Sequence, residues 1–133
     1  MGREIIIDAS AIIAVIANEP ERPALIALTK GADLLAPLSL PWEIGNAFSA
    51  MLKRRRISVE QAVQAIDIYR TISIRLVAIE LDEAIRLAGQ LNIYAYDAYF
   101  LCCASLYRAP LLSLDRDLLT AAAALGLPVL EVS

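Results

Sequence analysis

Short apolar runs of β-forming residues alternate along this chain with segments of helical periodicity, and no other feature limits its folds so sharply. Ile5-Ile6-Ile7 ends at Asp8, and Leu111-Leu112-Ser113-Leu114 ends at Asp115. Asp33 to Ala36, Ser73 to Ile79 and Pro128 to Val132 read as further strands. Strands this short and this apolar are hydrophobic on both faces, which implies a parallel sheet covered by helices on each side. Ligands of such sheets bind beyond the carboxyl ends of the strands. Asp8 and Asp115 both stand at such an end.

The intervening segments carry helix signals. Ala9 to Ala17 suits a helix with Ser10 as its N-cap, although Asp8 is an equally good cap. Glu21 to Lys30 is stopped by Gly31. Leu40 to Arg55 places Pro41 in its first turn, where a missing N–H costs nothing. Ser58-Val59-Glu60-Gln61 is a capping box. Val59, Ala62, Val63, Ile66 and Tyr69 keep one helical face, as do Leu81, Ala84, Ile85, Ala88 and Leu91. Tyr96 to Tyr107 is apolar nearly all round, the mark of a buried helix. Asp117 to Leu125 reads as a last helix, stopped by Gly126.

The composition excludes several classes. The 133 residues are 59% hydrophobic and 20% charged, which is incompatible with disorder. The longest uncharged stretch, Leu118 to Leu130, contains Gly126 and Pro128 and is too short for a membrane span. The first residues lack the apolar run of a signal peptide and the pattern for myristoylation. Histidine is absent, which removes Ser-His-Asp and Cys-His catalysis and histidine-ligated zinc. Cys102 and Cys103 are adjacent and fit neither a disulfide framework nor a CxxC metal site. They read as small apolar packing residues in a reduced, cytoplasmic protein.

The carboxylates are unevenly placed. Asp97 is the only charge between Arg86 and Arg108, and Glu43 the only one between Asp33 and Lys53. Each of Asp8, Glu43, Asp97 and Asp115 has a bland reading taken singly: a helix cap, a favourable charge at a helix start, or an Asx-turn. Together they fall at strand ends and at the starts of helices, and an ionised carboxylate in apolar surroundings needs a donor or a cation. One acidic pocket accounts for all four.

The chain at this point resembles the PIN domains, and most closely the VapC-type toxin ribonucleases of prokaryotic toxin–antitoxin pairs. The resemblance rests on Ile5-Ile6-Ile7-Asp8-Ala9-Ser10, Trp42-Glu43-Ile44-Gly45-Asn46-Ala47, Tyr96-Asp97-Ala98-Tyr99 and Leu112-Ser113-Leu114-Asp115-Arg116-Asp117-Leu118. Gly126-Leu127-Pro128-Val129-Leu130 is similar to the family's closing strand. The resemblance implies a PIN-like three-layer α/β/α fold with a mainly parallel sheet of about five short strands, and residues 1–133 as a single PIN domain. It implies that Asp8, Glu43, Asp97 and Asp115 hold Mg²⁺ or Mn²⁺, with Asp117 a fifth candidate. Ser10 and Ser113 then support the acids from behind. Asn46, one turn after Glu43, either orients that residue or is a polar group of the rim.

A hard cation that prefers oxygen and keeps several waters needs only a few carboxylates. Such a cation activates water for attack on a phosphodiester. The implied activity is endoribonuclease cleavage leaving a 5′-phosphate and a 3′-hydroxyl. The implied partners are an RNA substrate, a VapB-type antitoxin and a second copy in a homodimer. The alternatives are a PIN nuclease of RNA maturation without a toxin role, a DNA nuclease, and a degenerate binding module. No acid is lost, which speaks against the last.

The net charge of −3 comes from 12 basic and 15 acidic residues. With the five site acids set aside, 12 bases face ten acids and the balance becomes +2. Lys53-Arg54-Arg55-Arg56 is the densest positive run. We read it first as a solvated helix end and second as an RNA phosphate contact. Arg116 either grips a phosphate or balances charge. Trp42 is expected in the core or at a partner interface, and Tyr94, Tyr96, Tyr99 and Tyr107 in core and rim packing.

Overall fold

The computed structural model describes residues 2–132. Four parallel strands, β1 (Glu4–Ile7), β2 (Asp33–Pro37), β3 (Ile74–Val77) and β4 (Leu111–Leu112), lie in the order β3-β2-β1-β4. Seven helices connect and follow them: α1 (Ala9–Ile16), α2 (Arg22–Thr29), α3 (Leu40–Lys53), α4 (Val59–Tyr69), α5 (Leu81–Leu91), α6 (Ala95–Tyr107) and α7 (Arg116–Ala124). The result is the expected three-layer α/β/α fold.

β1 explains why both faces of the sheet are covered. Successive side chains of a strand point to opposite faces. Ile5, Ile6 and Ile7 are nevertheless all buried, at 0%, 0% and 2% exposure. Each contributes about 1.5–3 kcal/mol by leaving water. α6 lies across β1, β2 and β4 and packs on α5 and α7. α1 packs on α2, α3 and α4.

Several expected boundaries shift, each for a local reason. Asp8, not Ser10, caps α1: its Oδ1 accepts the Ala11 N–H at 3.1 Å, and Ser10 lies inside the first turn. The strand expected to reach Leu114 stops at Leu112, because Ser113 and Leu114 turn their polar groups toward residues 8 and 10. The closing strand shrinks to one bridge between Val129 and Leu111, flanked by bonds from Leu111 N–H to Pro128 and from Leu130 N–H to Leu111. The sheet therefore has four strands and this bridge. The capping box forms as expected, with Gln61 Oε1 accepting the Ser58 N–H at 2.9 Å and Ser58 Oγ accepting the Gln61 N–H at 3.1 Å.

Two amphipathic faces are only partly covered. Ala62 and Ala84 are buried, but Val59, Val63, Leu81 and Ile85 from the same stripes are exposed. α6 is buried at Ala98, Phe100, Leu101, Cys103 and Ala104, yet Tyr96 and Leu106 face solvent. No helix among the described residues is long and apolar enough to cross a membrane.

Candidate active site

The connections from β1 and β2 run outward in one direction, and β4 returns on the other side of β1. The chain thus reverses its order between β1 and β4, where a crevice opens at the carboxyl ends of open sheets. Asp8 follows β1 directly and Asp115 follows β4. Glu43 sits in the first turn of α3 and Asp97 in the first turn of α6. Four helix N-termini therefore converge on four carboxylates, and their dipoles favour negative charge by roughly 0.3–1 kcal/mol each.

Asp8 is buried, with 5% of its surface exposed. Its Oδ1 accepts from Ser10 Oγ at 2.7 Å and its Oδ2 from Ser113 Oγ at 2.8 Å. A serine hydroxyl has one proton and two lone pairs. With those protons given to Asp8, Ser10 accepts the Leu114 N–H at 2.9 Å and Ser113 accepts the Asp115 N–H at 2.9 Å. The two serines therefore clamp the loop after β4 to the end of β1. Burial raises the Asp8 pKa; the bonds from Ser10, Ser113 and Ala11 counter it, and the charge of Asp115 adds to it.

Glu43 accepts a bond from Ser39 Oγ at 2.7 Å on Oε2. Its pKa is pushed up to about 7, first by burial and then by the charges of Asp8 and Asp97, against the Ser39 bond. Asp97 is half-buried, and its pKa is raised by burial and by Asp115, Asp8 and Asp117. No hydrogen bond opposes that rise. Asp115 caps α7, its Oδ1 accepting the Asp117 and Leu118 N–H groups at 2.9 and 3.3 Å. Asp117 is exposed in the first turn of α7, near enough for its charge to act on Asp97.

The structure thus brings Asp8, Asp97 and Asp115 within electrostatic reach of one another and Glu43 within reach of Asp8 and Asp97, with Asp117 at the rim and Ser10 and Ser113 behind Asp8. No basic side chain offsets them. Among the described residues, ion pairs are confined to Arg70 with Asp67 on α4 and Arg86 with Asp82 and Glu83 on α5. Among the described residues no three acids are grouped closely enough to hold a metal ion as they stand.

Some expectations need correction. The Asn46 side chain makes no hydrogen bond to Glu43; its backbone carbonyl accepts from Ser49 Oγ, and the residue is exposed. Ser39 does the orienting instead, from one turn before Glu43, although in the sequence a serine between Pro37 and Pro41 reads as a loop residue. Trp42 is not core: it is 75% exposed, as is Tyr94 at 86%. Leu38, Trp42, Leu81 and Tyr99 line an apolar groove of about 310 Å³ that shares Ser39 with the acidic crevice. Cys103 is buried as expected, and burial pushes its thiol up to about 12.

No curated protein matches the sequence. Several solved structures share the fold. PAE2754 from Pyrobaculum aerophilum has a TM-score of 0.68 and 26% identity over 91% of this chain and 87% of that one. VapC20 of Mycobacterium tuberculosis, a sarcin-ricin-loop cleaving toxin, has a TM-score of 0.64 and 16% identity over 88% and 94%. VapBC2 from Rickettsia felis, bound to a DNA fragment of its promoter, has a TM-score of 0.64 and 14% identity over 96% and 97%. Residues 5–124 match the PIN domain family, a span running from the first isoleucine before Asp8 to the end of α7. With that match over most of its length, and its acids set at the chain reversal of a three-layer parallel sheet, this chain belongs to the PIN domain family.

Proposed function

We propose that the protein is an Mg²⁺- or Mn²⁺-dependent endoribonuclease and the toxin of a VapBC-type pair. One observation carries the reading: carboxylates from four separate segments, Asp8, Glu43, Asp97 and Asp115, lie close enough for their charges to act on one another, and none is in an ion pair among the described residues. Burial first, and then the neighbouring carboxylate charges, raise the pKa values of Asp8, Glu43 and Asp97.

The donor set fits a hard divalent cation. Every available ligand atom is a carboxylate or hydroxyl oxygen, and a cation that keeps several waters does not need a closed protein cage. Asp8, Glu43, Asp97 and Asp115 would hold it, with Asp117 as a rim ligand. The bound cation supplies charge neutralisation at the scissile phosphate and an activated water.

The chain's own residues do the positioning. Ser10 and Ser113 donate to Asp8 and fix the orientation of both its oxygens. Ser39 turns Glu43 the same way. Asp97, held by no donor, has all its lone pairs available. Glu43, with a pKa of about 7, exchanges its proton near neutrality, so a cation displaces it readily.

The relatives support the toxin role. VapC20 is a sarcin-ricin-loop cleaving toxin, and VapBC2 is bound to a DNA fragment of its promoter. The exposed groove of Leu38, Trp42 and Leu81 supplies apolar surface for a second copy or an antitoxin helix. A basic antitoxin side chain entering the crevice would compete with the cation for the same oxygens.

Cleavage of a structured RNA panel with Mn²⁺, abolished by EDTA and by Asp97→Ala, tests the chemistry. Growth arrest on induction of wild type but not of Asp97→Ala tests the toxin role. Cleavage that persists under full chelation would overturn the mechanism.

A further inference from the structure

We infer that the exposed face of α3 is a track for single-stranded RNA, running from Glu43 to a phosphate anchor at the turn Lys53–Arg56. The inference rests on the ribonuclease reading and adds where the strand beyond the cleaved bond lies.

The buried face of α3 is Leu40, Ile44 and Phe48. The opposite stripe, at helical spacing, is Gly45, Asn46, Ser49 and Lys53, all exposed. Trp42 heads the same stripe; beyond it the face carries no carboxylate and no bulky uncharged side chain, and a Cβ built on Gly45 meets nothing within 4 Å. A polyanion leaving the crevice meets small neutral groups there, then cations. From Glu43 to Arg54 the helix spans about 16 Å, roughly two to three nucleotides of extended strand.

The turn itself is cationic without a structural need to be. Lys53, Arg54, Arg55 and Arg56 are all exposed, and none is in an ion pair among the described residues. Between Glu43 and Asp67 the only acid is Glu60. A lysine in the last turn already answers the helix dipole. The last carbonyls of α3 are satisfied by the backbone: Arg54 N–H donates to Ala50, Arg55 N–H to Leu52 and Arg56 N–H to Met51, at 3.0–3.1 Å. Arg55 adopts φ 55°, so the chain reverses there before the Ser58 capping box opens α4. The cations therefore project from a backbone held at both ends. A pre-organised cationic turn binds phosphates with little ordering cost.

The test uses the whole protein in EDTA, where binding is read without cleavage. Anisotropy of a labelled twelve-nucleotide RNA should show affinity falling steeply with salt. The double variant Arg54→Glu/Arg56→Glu should weaken binding at least tenfold and lower the salt slope by about 1.4, as expected for two lost phosphate contacts at about 0.7 each on a single strand. Arg70→Glu/Arg86→Glu, with equal change in net charge, should leave both nearly unchanged. With Mn²⁺, the turn variant should raise KM for the twelve-mer but not for a dinucleotide too short to span α3. Equal binding by wild type and the turn variant, or equal loss in the control variant, would overturn the track. Absence of cleavage of either RNA by wild type would instead overturn the ribonuclease reading, with the binding data still judging the track.

Discussion

Ser113 Oγ donates to Asp8 Oδ2 at 2.8 Å, joining two residues 105 positions apart across the boundary between β1 and β4. The same hydroxyl accepts the Asp115 N–H. One small side chain thus sets the distance between two of the four acids.

Ser113→Ala removes a donor from a buried charge and an acceptor from the Asp115 N–H. A hydrogen bond to a charged group contributes about 1.5–3 kcal/mol. Urea unfolding should show a loss of that size with an unchanged slope, together with lower cleavage activity. Unaltered stability would mean that the clamp holds nothing.

Crowded carboxylates strain the metal-free protein. Asp97→Asn, at the acid with no donor to satisfy, should melt higher than wild type in EDTA. Mn²⁺ at a hundredfold excess over its Kd should stabilise wild type by about 2.7 kcal/mol. The variant should lose most of that shift. An equal Mn²⁺ shift in both proteins would separate Asp97 from the cation site.

The raised acids also set a pH dependence. Where a folded-state pKa lies above the unfolded one, the folded state binds more protons between the two values, and stability falls as pH rises through that window. For Glu43 the window runs from its ordinary value of 4.5 to about 7. Metal-free wild type should therefore be less stable at pH 8 than at pH 5.5, and Glu43→Gln should flatten the profile. Activity should fall with acidification below about pH 7, as protons displace the cation from Glu43. A profile unchanged by Glu43→Gln would locate the titration elsewhere.

Trp42 is the only tryptophan, so its fluorescence reports on one place. In dilute protein its emission should be that of a hydrated indole. A blue shift with rising protein concentration is the expected sign of a second copy covering the groove. Trp42→Ala should change stability by no more than about 0.5 kcal/mol, since the side chain is mostly in water. Emission independent of concentration and of a co-expressed antitoxin would remove the groove as an interface.

Much of the architecture was legible in the residues because local rules act within a few positions. Three consecutive isoleucines require a strand buried on both faces, and the Ser58–Gln61 box opens a helix wherever that helix docks. The order of Asp8, Glu43, Asp97 and Asp115 at element ends marked the acidic crevice before any contact was known. Tertiary structure decided what depends on distant neighbours. It chose Asp8 over Ser10 as the cap, because Ser10 is taken by Asp8 and by the Leu114 N–H. It assigned Glu43 to Ser39 rather than Asn46. It left Trp42, Leu81 and Ile85 in water, since periodicity marks an apolar stripe but not how much of it the rest of the chain can cover. The raised pKa values belong to the same class: repulsion and desolvation arise only when four segments, far apart in the chain, close on one crevice.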